Sequence, residues 1–495
     1  MANDRSFGGK VGVVGSGKGL YVLSLFLMNI GLARSMGPDV FGSFQQVFIL
    51  SAFFMILCMG IPETLYFFMP RLTPEERPAF LGQTMLLLVI TGTIAAVALW
   101  FGAPKIAELQ GNPAIEPSIR LFGIYGAFLI VTSFIDPLLI NFKKLQYHFV
   151  LSGVHGLFFV ALTIWQFATK SSLPTLFGIM AVFGVAKLLL VVIVLFLVRA
   201  DIGRVSFFGG QRSILLQLMF SLPIALSTTV EVFSRYLDKF VVSVYLGPEM
   251  LGIFYIGAIE IPLVSVLLSS VYSVASPVLN KLYHENEIEA FTAFVNKILK
   301  FTAKIIWPVF IYLMFFANHL ISLLFESGYE DAVLTFRIYL IMMPLRIALY
   351  GVILIALGKP KYVLWSSLGA LAVNFVLSLV FIQTIGFNGP AIATVISTYL
   401  HVIVLVILII KMLGAKFFDL VPIRSMVDIG LSGCIAAMVA FFLTRYLANE
   451  ISIVFLSLSI FLGGYVFLGS KAGFIRIMSF TEFVDGALGG KKSDK

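Results

Sequence analysis

Fourteen stretches of predominantly apolar residues, each long enough to cross a bilayer as a helix, govern what this chain can fold into. They lie at approximately 18–36, 42–68, 81–103, 120–141, 146–168, 173–198, 213–241, 250–278, 300–325, 333–357, 361–384, 388–411, 424–447 and 451–470. A membrane helix needs roughly 20 mostly apolar residues. These runs are too long and too uniformly apolar to be the alternating strands of a membrane barrel. The longest polar gap, about 279–299, holds Lys281, His284, Glu285, Glu287 and Glu289 and is too short for a soluble domain. Composition agrees. Only 12% of the residues are charged, against about 25% in a soluble domain. The sequence predicts an all-α polytopic membrane protein with 14 transmembrane helices. The two cysteines, Cys58 and Cys434, lie in apolar runs of different halves, so neither a disulfide nor a metal framework is expected.

The net charge of +9 sits in the loops, which argues against nucleic acid as a partner. With the N-terminus placed in the cytoplasm, cytoplasmic segments hold 24 Lys and Arg residues and the opposite face 7. That split follows the positive-inside rule and supports the count of fourteen, since a missed helix would scramble the alternation, with both termini cytoplasmic and the inner membrane as location. Lys187, Arg235 and Arg346 remain, inside the runs themselves. The first run could be read as a cleaved signal, with Ala33-Arg34-Ser35 as a processing site. An internal repeat argues against that, because the equivalent run lies mid-chain.

The repeat is a phrase written twice. Residues 36–44 read MGPDVFGSF and residues 246–254 read LGPEMLGIF, an offset of 210. Gly ends a helix by accepting positive φ, Pro stops it continuing, and Asp39 or Glu249 favours the start of the next. The phrase therefore predicts a tight helical hairpin. Other features repeat in step. Arg71-Leu72 matches Lys281-Leu282, Arg120 matches Arg337, and Lys144-Leu-Gln-Tyr147 matches Lys359-Pro-Lys-Tyr362. Pro174 and Pro390 match in turn, and the offset drifts to about 217 as loop insertions allow. Six runs per copy is an even number, so both copies point the same way across the bilayer, a transporter arrangement. The expected organisation is an N-lobe at 1–212, a C-lobe at 213–412, and two added helices with a cytoplasmic tail at 413–495.

A first helix ending in Ala33-Arg34, followed by Met36-Gly37-Pro38-Asp39-Val40-Phe41-Gly42, is similar to the start of bacterial polysaccharide transporters of the Wzx flippase type. These belong to the multidrug/oligosaccharidyl-lipid/polysaccharide exporter superfamily. The likeness extends over the 6+6 duplication and the two extra helices. The resemblance implies two six-helix lobes forming a V that opens alternately to each side. It also implies flipping of an undecaprenyl-diphosphate-linked oligosaccharide from the cytoplasmic to the outer leaflet. A polysaccharide polymerase and glycosyltransferases would be partners.

Charge inside a membrane is expensive and points to function. Glu231, Arg235 and Asp238 stand at i, i+4 and i+7, one helical face, with Ser227 and Ser234 nearby and Lys239 following. Arg235 could attract a diphosphate, whose oxygens its fork matches. An intrahelical salt-bridge network is the plainer alternative. Lys187 and Arg346 lie mid-run and are expected to face the lumen. Arg34 is a substrate contact or an interface anchor, and Lys18 a contact for incoming diphosphate or a topology charge. Glu63 after Pro62, Asp136 before Pro137, and Glu260 near Pro262 are candidates for ion coupling, since a Pro-loosened turn frees carbonyls. Each could equally be a protonated carboxyl bonded to a neighbouring helix. Asn29 and Asn374 read as interhelical glue, and His155 and His401 as packing.

Residues 12–19, GVVGSGKG, almost spell a phosphate-binding loop. Gly19 stands where Ser or Thr is required, and a membrane helix follows in place of a nucleotide domain. Without an ATPase domain, H+ or Na+ is the candidate driving ion, and no cofactor or metal is expected. A cation-coupled multidrug exporter and a lipid II flippase are the nearest alternatives. A membrane glycan ligase or polymerase needs a catalytic constellation on an outer loop, and 104–119 and 326–332 offer none. No enzyme activity is therefore expected. A structural scaffold would leave the intramembrane charges dispensable.

Overall fold

The computed structural model describes residues 2–56, 60–203, 205–207, 211–325 and 327–474. Cys58, Arg204 and the basic residues of the tail lie outside these, as does the side chain of Lys18. The chain is 86% helical, without a strand among the described residues. In order the helices are α1 (Ala2–Ile56), α2 (Ile61–Phe68), α3 (Arg77–Leu109), α4 (Glu116–Thr132), α5 (Ile135–Asn141) and α6 (Leu145–Thr169). There follow α7 (Leu173–Leu197), α8 (Arg199–Ile202), α9 (Gln211–Gly257), α10 (Pro262–His284), α11 (Ile288–Leu324) and α12 (Ala332–Leu340). The last six are α13 (Tyr350–Ala356), α14 (Pro360–Thr384), α15 (Gly389–Leu413), α16 (Phe417–Leu420), α17 (Ile423–Thr444) and α18 (Glu450–Lys471). Contacts divide the chain into two compact units, Met1–Tyr255 and Ile256–Lys495.

Among the described residues, twelve spans are long and apolar enough to cross a membrane, against fourteen expected. The difference arises at the repeated phrase. The range α1 takes in the first expected helix and the start of the second, and α9 the seventh and the start of the eighth, each as two helices that meet at a kink. The bends fall on Gly37 (φ 73°, ψ 170°) and Gly247 (φ 84°, ψ −176°), each followed by Pro. Only glycine adopts such angles at little cost. In α1 the arms fold back on one another: Gln45 Nε2 donates to Asn29 Oδ1 at 2.7 Å, although the two are 16 residues apart. A straight helix would hold them about 24 Å apart. The phrase is thus a hairpin, and Asn29 is glue between its arms. The glycine-rich 12–19 stretch belongs to α1 and forms no loop.

Within the first unit the two copies of the phrase pack on each other. A Cβ on Gly42 would meet the carbonyl oxygen of Pro248, and one on Gly252 that of Pro38. The backbones approach this closely because both positions are glycine. A buried amide network surrounds the contact. Gln46 donates to Ser243 Oγ at 2.9 Å, and Asn112 donates to Gln46 Oε1 and Ser43 Oγ, both at 2.8 Å.

The duplication persists in element lengths. Helices α6 and α7 have 25 residues each, as do α14 and α15, and Pro174 and Pro390 occupy the first turns of α7 and α15. In both copies the fourth helix is broken. The first copy has α4 and α5. The second has α12, a 3-10 turn at Met343–Leu345, and α13. Helices α17 and α18 pack on α11, where Tyr312 donates its hydroxyl to the Val454 carbonyl at 3.0 Å.

Candidate functional site

The breaks position the ionisable groups. Pro137 has no N–H to offer the carbonyl of Ser133, so the helix stops at Thr132 and restarts at Ile135. Asp136 falls in the first turn of the restarted helix. Gly60 (φ 102°) and Pro62 likewise start α2 afresh and place Glu63 in its first turn. Asn141 Nδ2 ties the two short helices, donating to the Leu65 carbonyl at 3.0 Å.

Asp136 and Glu63 line a cavity of about 570 Å³ inside the first unit, together with Tyr21, Tyr66, His148 and Lys187. His148 and His155 are seven residues apart on α6 and so share a face. His148 Nδ1 lies 2.8 Å from Asp136 Oδ1. The carboxylate can only accept, so Nδ1 carries the hydrogen and donates. Its ring is 1% exposed, whereas the Asp136 side chain is 48% exposed. His155 Nε2 is 3.1 Å from the Tyr125 hydroxyl, and its Nδ1 is 3.4 Å from Lys187 Nζ. The Tyr21 ring lies 5.0 Å from the His155 ring. Helices α1, α2, α4, α5, α6 and α7 therefore each contribute to one polar cluster.

In the second unit, Glu260 and Arg346 meet. Arg346 Nη2 lies 3.7 Å from Glu260 Oε1, with both side chains half-exposed. The sequence places Arg346 mid-helix; the structure places it in the break between the 3-10 turn and α13, where Pro344 interrupts the helical hydrogen bonds. Glu260 lies in the corresponding gap between α9 and α10.

The charged stripe on α9 divides in two. Arg235 pairs with Glu231 at 2.9 Å, both exposed, while Asp238 is buried and lies 3.4 Å from Lys239 Nζ. Helical spacing put the three on one face, but burial separates Asp238 from the exposed pair. Arg34 is exposed beside the bend of α1. The Lys18 side chain lies outside the described residues.

The sequence profile of the polysaccharide biosynthesis protein family matches residues 31–334. The chain belongs to this family. Its fold is that of the multidrug/oligosaccharidyl-lipid/polysaccharide exporter superfamily. It resembles the structure of the lipid II flippase MurJ in an inward closed conformation, with a TM-score of 0.70 at 17% identity over 92% of this chain and 96% of that one. It also resembles an inward-facing multidrug resistance MATE transporter, with a TM-score of 0.68 at 16% identity, covering 80% and 94% of the two chains. A transporter of the superfamily from Pyrococcus furiosus gives 0.60 at 16% identity over 81% and 94%. No curated protein sequence matched. Like the other chains of this fold, the family member described here is a multi-pass membrane protein.

Sequence reasoning missed His148 and took His155 for packing. The missing signal was available in part: two histidines seven apart on one apolar helix is a repeat of titratable groups on one face. Their partners were not, since Asp136 lies across a turn and Tyr125 and Lys187 lie on other helices. His401 and Asn374 do act between α14 and α15. His401 Nε2 lies 3.3 Å from Ser366 Oγ, and Asn374 Oδ1 accepts from Ser378 at 3.0 Å and Thr394 at 3.4 Å.

Proposed function

We propose that this chain is a flippase that moves an undecaprenyl-diphosphate-linked oligosaccharide from the cytoplasmic to the outer leaflet by alternating access, driven by a gradient of H+ or Na+. The inner membrane is its site, with both termini cytoplasmic. The observation that carries this reading is the set of ionisable side chains held at helix breaks inside apolar spans, in a chain of the polysaccharide biosynthesis family. Each such charge costs several kcal/mol in lipid. A chain that retains Glu63, Asp136, Glu260 and Arg346 there, and Lys187 in the middle of α7, uses them on a polar cargo or its driving ion. Arg235, Arg346, Lys187, Arg34 and Lys18 are the groups assigned to the diphosphate and sugars. Glu231, Asp238, Glu63, Asp136 and Glu260 are those assigned to the ion. One structural neighbour is a lipid II flippase and another a multidrug transporter; the family description favours the saccharide cargo. A polysaccharide polymerase and glycosyltransferases would act beside it.

A second reading, export of cationic drugs, draws on the two carboxylates and the aromatic rings of the first-unit cavity. Substitution separates the two. Arg235→Ala should abolish export of the lipid-linked saccharide while the protein still inserts. Normal export in that variant would remove Arg235 from the mechanism, and export of a cationic dye by the wild type with no movement of lipid-linked saccharide would replace the flippase with the drug exporter.

A further inference from the structure

His148 is a buried ionisable group of the first-unit cavity, and one of its two nitrogens is unused. Nδ1 donates to Asp136. Nε2 is buried and makes no hydrogen bond among the described residues. A buried polar atom without a partner costs about 1–3 kcal/mol. The neutral tautomer that serves Asp136 leaves a lone pair on Nε2, which is the basic site of the ring.

From this geometry we infer that the Asp136–His148 pair carries the coupling ion, and that the ion is a proton. This rests on the flippase reading above and names its driving ion. On uptake, the proton forms a bond to His148 Nε2 and leaves an imidazolium whose Nδ1–H faces the Asp136 carboxylate. On release, that same N–H bond breaks and the neutral ring returns. The proton leaves an O–H bond of hydronium on one side of the membrane and returns to water on the other.

The charges around the pair favour one proton. Glu63 from α2, Asp136 from α5 and Lys187 from α7 line the cavity, and the Asp136 charge acts on both Lys187 and Tyr66. Tyr21 from α1, Tyr125 from α4 and His155 on α6 complete the titratable groups there. Lys143 and Lys144 precede α6 and are not among the lining residues. With both imidazoles neutral the two carboxylates outnumber the one ammonium, and a single proton cancels the excess. A neutral cluster is the cheaper one to enclose in a low-dielectric interior.

The donor set disfavours Na+. A hard cation wants several oxygen ligands. Here the Lys187 ammonium shares the cavity with the two carboxylates and competes for their charge, and the Asp136 oxygen nearest the pair already accepts from His148. Imidazole, by contrast, takes up and gives back a proton on a single nitrogen and needs no further ligands.

The test uses the full chain in proteoliposomes with a labelled polyprenyl-diphosphate glycan, under an imposed pH or Na+ gradient. His148→Asn keeps a donor where Nδ1 stands but cannot titrate, so it separates a proton carrier from a structural link. With one proton per cycle, a gradient of two pH units drives up to about a hundredfold accumulation in the wild type. His148→Asn and Asp136→Asn should flip glycan down its own gradient and show no response to pH. In parallel, 15N-histidine spectra of the purified chain should contain one signal that titrates at Nε2, vanishes in His148→Asn and shifts in Asp136→Asn. A His148→Asn variant that follows the pH gradient like wild type would overturn the inference, as would a Na+ gradient driving the wild type while His148 stays untitrated. Absence of glycan movement under any gradient would overturn the flippase reading instead, and the histidine titration alone then decides the proton assignment.

Discussion

The two copies of the repeat use the same scaffold and fill it with different charge. Both have a bent first helix and a broken fourth helix, and both bring a carboxylate at a break beside a basic side chain. In the first copy the partner of Asp136 is a histidine at 2.8 Å; in the second the partner of Glu260 is an arginine at 3.7 Å. An imidazole changes charge near neutral pH, whereas a guanidinium stays charged at every physiological pH. The first pair is therefore suited to switching and the second to holding a fixed positive charge, which suits an anionic cargo. The bent helices differ in the same sense. Positions Tyr21, Leu25 and Met28 of α1 are uncharged where α9 carries Glu231, Arg235 and Asp238.

Substitutions can break this division of labour. The largest effect is expected from Asp136→Asn, which should remove the whole response of export to a pH gradient, up to about a hundredfold for two pH units. Glu260→Gln should lower export without changing that response; an equal loss of pH response in both variants would erase the distinction between the copies. Next, Arg346→His should give the second copy a titratable pair, so that export measured from pH 5 to 8 acquires a second, severalfold dependence. A smaller effect is expected at the shared hairpin. Gly42→Ala forces a methyl against the Pro248 carbonyl, a backbone atom that cannot rotate away, and should cost about 1–3 kcal/mol. The thermal unfolding midpoint in detergent would fall accordingly. The smallest belongs to Glu231→Gln. Its pair with Arg235 is exposed on both sides, and such pairs contribute about 0–1 kcal/mol, so the midpoint should barely move while diphosphate binding becomes the sensitive readout.

Much of the scaffold was legible because lipid imposes simple rules. Length and apolarity mark the spans, and Gly37-Pro38 and Gly247-Pro248 mark the bends through backbone conformation alone. Pro137 and Pro262 announced breaks next to carboxylates for the same reason. What could not be read was adjacency in space. Nothing in the sequence says that His148 reaches across a turn to Asp136, that Lys187 meets His155 from 32 residues away, or that Glu260 meets Arg346. The two phrases, read as separate turns, also turn out to pack on each other, which only the glycine pairs Gly42 and Gly252 hinted at. The count of spans differed because each Gly-Pro bend joins two helices end to end with a single residue in non-helical conformation between them.

Movement of a lipid-linked saccharide by this chain can be observed directly. The direct measurement is transfer of a labelled polyprenyl-diphosphate glycan to the opposite leaflet of proteoliposomes holding the purified wild-type chain, with a cationic dye as the competing cargo. The flippase predicts gradient-dependent appearance of the glycan and no accumulation of the dye. Dye accumulation with the glycan left in its starting leaflet would contradict it.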